Sequence, residues 1–410
     1  MEAKKKLVIL ANSDLTQTLL KYFCMDYLST VYDLEYWVCV NMLKPSTRFV
    51  AQKIEREYVK EVASLSQLEE ELRNLPKDTI ISYHGLYTVE NVEFHKVVSK
   101  YFKTINFVDF YGNSVDYVRQ RKSTSGASQS ERPKLFRQLK NLLYKSSFLK
   151  VIIKSIKHPK QFKEILQRQR ECDAYGGLYK DMLYISCSPG SKFLIHHPDV
   201  EQYLSVRKTE SKETKKYIVY VDQFFPFHSE MNFGKDVNID VIAQSHFEKI
   251  DAFFDRIEKY YECKVIIAAH PTAEYAKNPF KGREIIYHKT AELVCNSIGV
   301  LTHASNALSY VMLADKPVAL LSDSEIKLCT RMYEGLLLYQ DVFGVDLYDL
   351  DSLLSDENEI SIRKIDPQIR KEYIETYFGN IEETDKVLNN NLLVQNFNAI
   401  YDTYCINYKQ

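Results

Sequence analysis

The residues of this chain whose types and spacing could do chemistry stand at the ends of two apolar runs. The run 265–269 (VIIAA) ends on His270-Pro271, and the run 298–302 (IGVLT) ends on His303-Ala304-Ser305-Asn306, with Ser305 35 residues after His270. Proline directly after a strand stops the hydrogen-bond ladder and fixes the turn, so His270 is expected to project from a sheet edge. An imidazole there can donate to a phosphate, or protonate it as it departs as a leaving group. Ser305 and Asn306 suit a helix N-cap, and a cap at a strand-end crevice also presents backbone N–H groups to an anion. The plain alternatives are a loop histidine bonded to a neighbouring carbonyl and a serine that only caps. The pairing favours half of a phosphate site. Two other His-Pro pairs, His158-Pro159 and His197-Pro198, follow no clear apolar run and are set aside.

Further candidates share that expected edge. Thr290 opens the segment TAELVCN and is either a donor-binding hydroxyl or a plain cap, and His303 is either a donor ligand or a structural histidine. In VDQFFPFHSE, Asp222 closes an apolar run, where a carboxylate can accept the proton of an acceptor hydroxyl; it can equally form a turn. His228 and Glu230 are its rivals on the same loop. His84 and Asp109 close apolar runs in the first half and are acceptor-side candidates. With 12 glycines in 410 residues, the chain has no GxGxxG and no GxxxxGK[ST], so the usual dinucleotide and P-loop cradles are absent. HExxH and GxSxG are absent too. Asp349-Leu350-Asp351 is the one DxD-like triplet; it lies in a loop-like stretch, reads as a helix start, and leaves no metal or cofactor expected.

Positioning such residues takes parallel strands with crossover helices. Apolar runs at LVILA, YWVCV, DTIISYHG and TINFVDFYGN alternate with helical patterns at 14–27, 64–75 and 89–101. Strands alternating with amphipathic helices imply βαβ units. After the charged linker 207–216 the pattern restarts with KYIVYVDQFFPF and a long helix over 243–261. A length of 410 residues fits two domains. The expected fold is α/β: two Rossmann-like domains with a cleft between them and a C-terminal helical return. The expected units are 1–206, with a basic helical insertion at 131–170, then 217–380, then 381–410 packing back across both.

Composition bounds the partners. A net charge of −1 gives no global field for nucleic acid. The eight cysteines show no CxxC or metal-type spacing, the pattern of reduced thiols in a cytoplasmic protein. The N-terminal apolar run is only five residues, a first strand rather than a signal peptide, and no stretch approaches a membrane span. Segment 131–170 carries twelve Lys or Arg against two Glu, with Leu and Ile at helical spacing. Such a stretch either lies on an anionic membrane surface or packs as a solvated face on its own domain.

The segment 217–321, with His270, Pro271 and Ser305 in place and Asn306 where a second serine would stand, resembles two groups of bacterial GT-B enzymes. One is the sialyltransferases and related nonulosonic-acid or Kdo-type transferases. The other is the CDP-glycerol glycerophosphotransferases. It also looks like proteins of surface-polysaccharide gene clusters. The resemblance implies a metal-independent glycosyltransferase with a nucleotide-sugar donor, foremost CMP-linked nonulosonic acid, and a surface-glycan acceptor. His270, Pro271, Thr290, His303, Ser305 and Asn306 would then hold the donor, with His270 and Asp222 catalytic. The sialyltransferase acidic motif is two acids and a glycine, whereas Val221-Asp222-Gln223 stands here. A glycerophosphotransferase, a sugar-nucleotide epimerase and a non-catalytic component of a polysaccharide assembly complex are the alternatives.

Overall fold

The structure, a computed structural model, describes residues 3–43, 53–85, 91–109, 177–187, 191–209, 216–228, 231, 233, 237–353, 360–379 and 381–405. The basic segment 131–170 and Glu230 lie outside the described residues. Within them the chain forms two parallel sheets. The first holds β1 (Lys6–Ala11), β2 (Asp33–Val38), β3 (Val59–Glu61), β4 (Ile80–His84), β5 (Thr104–Asp109), β6 (Asp181–Ser186) and β7 (Phe193–Leu194), in the order β3-β2-β1-β4-β5-β6-β7. The second holds β8 (Tyr217–Val221), β9 (Lys264–Ala268), β10 (Ile285–Ile286), β11 (Gly299–Thr302), β12 (Val318–Ser322) and β13 (Asp346–Asp349), in the order β10-β9-β8-β11-β12-β13.

Both orders follow one rule. The chain winds outward from its first strand on one side, then returns and winds outward on the other. The strand order therefore reverses between β1 and β4, and again between β8 and β11. Loops leaving the two strands at a reversal part to opposite faces and open a crevice at the strands' carboxyl ends. Parallel strands covered by helices on both faces need apolar residues on both faces. All residues of YIVYV, GVLT and VALLS are accordingly buried.

Helices Leu65–Asn74 and Val92–Tyr101 cover one face of the first sheet, with Leu68, Leu72, Phe94 and Val98 packed on Val8 and Leu10. The other face takes helix Asn389–Ile400, whose Leu393, Phe397 and Ile400 join Leu7 and Ile9 in one cluster. Burying each of those side chains stabilises by about 1.5–3 kcal/mol. The C-terminal helix is thus packed on the sheet formed first in the chain. Helix Pro198–Thr209 runs into the segment expected as linker, and it buries Val200 and Leu204 in the core of the second sheet.

Two local expectations change. The stretch 14–27 is not one helix: Gln17–Tyr22 and Met25–Val31 are separated at Cys24, which is left-handed at φ 49°. The loop-like stretch around Asp349 contains β13, paired in parallel with β12, before the short helix Leu350–Leu353. Asp349 there pairs with Lys327 and Asp351 with Lys249, both at 2.5 Å. No helix among the described residues is long and apolar enough to cross a membrane.

Candidate functional site

A cleft of about 760 Å³ opens at the carboxyl ends of β8, β9 and β11. Its second-sheet wall carries Asp222, His270, Pro271 and residues 304–307. Gln17, Thr18, Lys21 and Tyr22, from the helix that follows β1, form the facing wall. The site therefore lies at the reversal of the second sheet and faces the reversal of the first. The strands that end at His270 and His303 are not neighbours: β8 pairs with both β9 and β11 and stands between them. Asp222, one residue past β8, is consequently placed between the His270 turn and the Ser305 turn.

That position decides what Asp222 does. Its side chain is only 3% exposed. One carboxylate oxygen accepts from the Phe224 N–H at 2.9 Å; the other accepts from the Tyr275 hydroxyl at 2.8 Å and, more weakly, from the His270 N–H at 3.4 Å. Burial raises its pKa above the usual carboxylate range, and these donors only partly offset the rise. The carboxylate is enclosed and already bonded, so the geometry makes it the anchor of two loops rather than an open base. The anchor also supports Phe224, a non-glycine residue held at φ 53°.

His270 is half-buried in the cleft. Its Nδ1 accepts from the Thr272 N–H at 3.2 Å and lies 2.8 Å from the Thr272 hydroxyl. An accepting Nδ1 puts the ring proton on Nε2, so neutral His270 offers Nε2–H as a donor. Burial, helped by the neighbouring His228, lowers its pKa to about 4. At neutral pH it is thus a neutral donor to an anion and a poor proton source. His228 packs edge-on against it, with ring centroids 4.8 Å apart.

On the β11 side, Ser305 Oγ accepts from the Ala307 N–H at 3.2 Å, the ST-type turn its residue type favours. Asn306 is exposed on the same turn. Helix Leu308–Ala314 follows directly. Thr290 lines the rim where helix Thr290–Asn296 begins, next to His288, which is left-handed at φ 58°. The structure thus brings together Asp222, His228, His270, Pro271, Thr290, Ser305 and Asn306.

It does not bring in His303. That ring is fully buried beneath the cleft: its Nδ1–H donates to the Leu321 carbonyl at 2.7 Å, and the Tyr220 hydroxyl donates to its Nε2 at 2.8 Å. Both nitrogens are used inside the domain, so the expected donor contact is corrected to a structural role. Burial lowers its pKa to about 4. An imidazole held neutral in the fold protonates first in the unfolded chain, so this stability is complete above the unfolded pKa near 6.5 and drains away as pH falls to 4. We expect a loss on the order of 3 kcal/mol from this group across that window. Thermal melts at stepped pH check it. H303N should start less stable at pH 7 and lose less on acidification; equal acid sensitivity in both proteins would refute the assignment.

His84 is not among the described cleft residues either, and the Asp109 side chain lies outside what the structure describes. His84 closes β4 at the reversal of the first sheet, but its ring packs edge-on against Phe23 at 4.7 Å and its Nδ1 is buried. Asp109 closes β5, a strand further out in the sheet order.

Several cleft residues escaped the sequence pattern. Arg331 and Glu334 come from helix Thr330–Phe343, and Lys21 comes from the first half of the chain. Asp199 directly follows the His197-Pro198 pair, which carries little sequence signal because β7 before it is only two residues long. It accepts from Tyr310 at 2.8 Å, from Ser309, and from Tyr22 across the cleft at 3.4 Å. Gly335 lets helix Thr330–Phe343 approach the Ser305 turn: a Cβ there would sit 3.3 Å from the Ala304 Cβ. Gly335→Ala should be close to neutral in stability, because the helix-propensity gain of about 1 kcal/mol offsets that contact. Gly335→Val should overpack against the 304–306 turn and cost about 1–3 kcal/mol in denaturant titration. Unchanged stability in G335V would show that the turn tolerates the shift.

Among the described residues, no three His, Cys, Asp or Glu side chains stand together as a metal site. No family model matches the chain, and no curated protein matches it. Solved structures it resembles include the calicheamicin glycosyltransferase CalG4, at 10% identity over 97% of this chain and 99% of the other, with a TM-score of 0.40. Another is the glycosyltransferase SnogD from Streptomyces nogalater, at 9% identity over 98% and 100%, with a TM-score of 0.45. A third is UDP-GlcNAc 2-epimerase from Methanocaldococcus jannaschii, at 12% identity over 96% and 99%, with a TM-score of 0.43.

Proposed function

We propose that the cleft is the nucleotide-sugar site of a GT-B-type glycosyltransferase that needs no metal. One observation carries the reading: at the β8/β11 reversal, a neutral imidazole donor and the Ser305-Asn306 turn flank a single crevice, with Arg331 on the same wall. That set suits the phosphate of a nucleotide. His270 Nε2–H, the Ser305 hydroxyl and the N–H groups of the turn hold the phosphate as negative charge grows on it during glycosyl transfer. Pro271 fixes the direction of the His270 turn, and Thr290 and Asn306 border the sugar or base. The donor proposed is a CMP-linked nonulosonic acid, and the acceptor a bacterial surface glycan.

The test is a thermal-shift screen of the full chain against CMP, CDP, UDP and GDP, followed by nucleotide release from the matching sugar donors. A cognate nucleotide at 100 Kd stabilises by about 2.7 kcal/mol and should stand out. Stabilisation by CDP with turnover of CDP-glycerol would replace the donor. Turnover of UDP-N-acetylglucosamine without an acceptor would move the protein to the epimerases. No response to any nucleotide would sink the reading.

The basic stretch 131–170 fits work at the inner face of an anionic membrane. Neutralising its lysines should lower flotation with phosphatidylserine liposomes several-fold, and more so at low salt. Equal flotation would remove the membrane from the proposal.

A further inference from the structure

Helix Gln17–Tyr22, the wall that faces the phosphate turns, is short and held at both ends. The Thr16 hydroxyl accepts from the Leu19 N–H at 3.3 Å, and left-handed Cys24 closes the far end, its N–H donating to the Lys21 carbonyl at 3.1 Å. Residues four apart are neighbours on a helix surface, so Gln17 lies beside Lys21 and Thr18 beside Tyr22. All four line the cleft. Among the described residues, Lys21 is the one charged group on that wall.

The wall stands close to the phosphate turn. The Tyr22 hydroxyl donates to Asp199 at 3.4 Å, and Asp199 also accepts from Ser309 and Tyr310, on the helix that directly follows the Ser305-Asn306 turn. Lys21, next to Tyr22, is exposed to the cleft. A lysine in the last turn of a helix suits the helix dipole wherever its side chain points. What is particular to Lys21 is the direction from which its charge enters the site.

A nonulosonic acid carries its carboxylate on the anomeric carbon, the atom that also bears the phosphate. The donor proposed above therefore presents two anions on one carbon, and like charges so close repel strongly in a cleft that excludes water. Two such groups are best met from two directions. The second-sheet wall meets the phosphate with His270 and the Ser305 turn, and Arg331 lines the same wall. The other direction is the wall of Lys21. We propose that Lys21 binds the donor's carboxylate and so selects an acidic sugar over a neutral one. The carboxylate stays on the sugar throughout the reaction, so this ion pair is made in the ground state and the transition state alike. Its loss should raise KM and leave kcat in place.

The inference rests on the nucleotide-sugar reading, and the experiment separates the two. Affinities for CMP, for CMP-3-fluorosialic acid and for the carboxylate methyl ester of that analogue are measured by calorimetry in the full chain and in K21M and K21E. KM and kcat for hydrolysis of CMP-sialic acid are taken on the same preparations. The wild-type chain should bind the acid at least about tenfold tighter than the ester, the scale of a hydrogen bond to a charged group. K21M should abolish that preference by weakening the acid alone, with CMP and the ester unaffected, and should raise KM while kcat holds. K21E should reverse the preference, which a merely structural lysine would not do. Survival of the preference in K21M or K21E, or equal wild-type affinity for acid and ester, overturns the assignment and leaves the nucleotide site standing. Equal weakening of CMP and the acid in K21M moves Lys21 to the phosphate and overturns it as well. A wild-type chain that binds UDP or GDP but none of the CMP ligands overturns the donor, and one that binds no nucleotide overturns the underlying reading; the assignment falls with either.

Discussion

His270→Ala is expected to lower nucleotide release about 10²–10³-fold, the cost of removing one preorganised donor from a site of developing negative charge. The loss should appear in nucleotide affinity as well as in kcat, because the nucleotide product already carries the charge that Nε2–H meets. Burial that keeps the ring neutral, with a pKa near 4, argues that the rate will not follow a titration of His270 around neutral pH. His270→Gln sharpens the test. A glutamine amide can place one N–H close to where Nε2–H stands, yet it has no titratable proton. Partial recovery in H270Q would establish the role as donation. Complete loss in H270Q with intact nucleotide binding would return the leaving-group proton to His270 and contradict the neutral-donor argument.

Asp222→Ala should be the most destabilising single change at the site. It strands the Phe224 N–H, the His270 N–H and the Tyr275 hydroxyl, two of them strong contacts with a buried acceptor. An unsatisfied buried donor costs about 1–3 kcal/mol, so a loss of at least 3 kcal/mol in the unfolding of the second-sheet domain is expected. Asp222→Asn distinguishes anchor from base. The amide keeps one acceptor oxygen and turns an NH₂ towards groups that were donating, so an anchor loses stability while its rate falls only in proportion to the disturbed loop. A base would show the reverse: near-native melting and a rate down by several orders of magnitude. Denaturant titration and donor hydrolysis on the same D222N preparation separate them.

Much of this arrangement is local, and local features are legible. Runs such as YIVYV and VIIAA are strands because β-branched residues buried on both faces suit a parallel sheet. Proline after His270 ends a strand for a covalent reason, and Ser305 forms its turn with the hydroxyl its type supplies. The α/β class, the two sheets and the His-Pro and Ser-Asn turns follow from such features. The strands VKE, FL, II and DLYD are two to four residues long and too short to show a period, and the six-residue DMLYIS, equally absent from the sequence pattern, mixes Asp, Tyr and Ser with its apolar residues and so makes no clean apolar run.

What tertiary structure alone decided is adjacency. Crossover helices separate consecutive parallel strands by tens of residues, so no local period says that β8 lies between β9 and β11. That one insertion turned Asp222 from an exposed strand-end carboxylate into a buried anchor. One residue past β11, it left His303 inward against Tyr220 and Ser305 outward on the cleft, a distinction their types do not carry. It also brought Lys21, Asp199 and Arg331 to one crevice from three distant segments. Sequence determined which residues could bind a phosphate; burial and strand order determined which of them are free to do so.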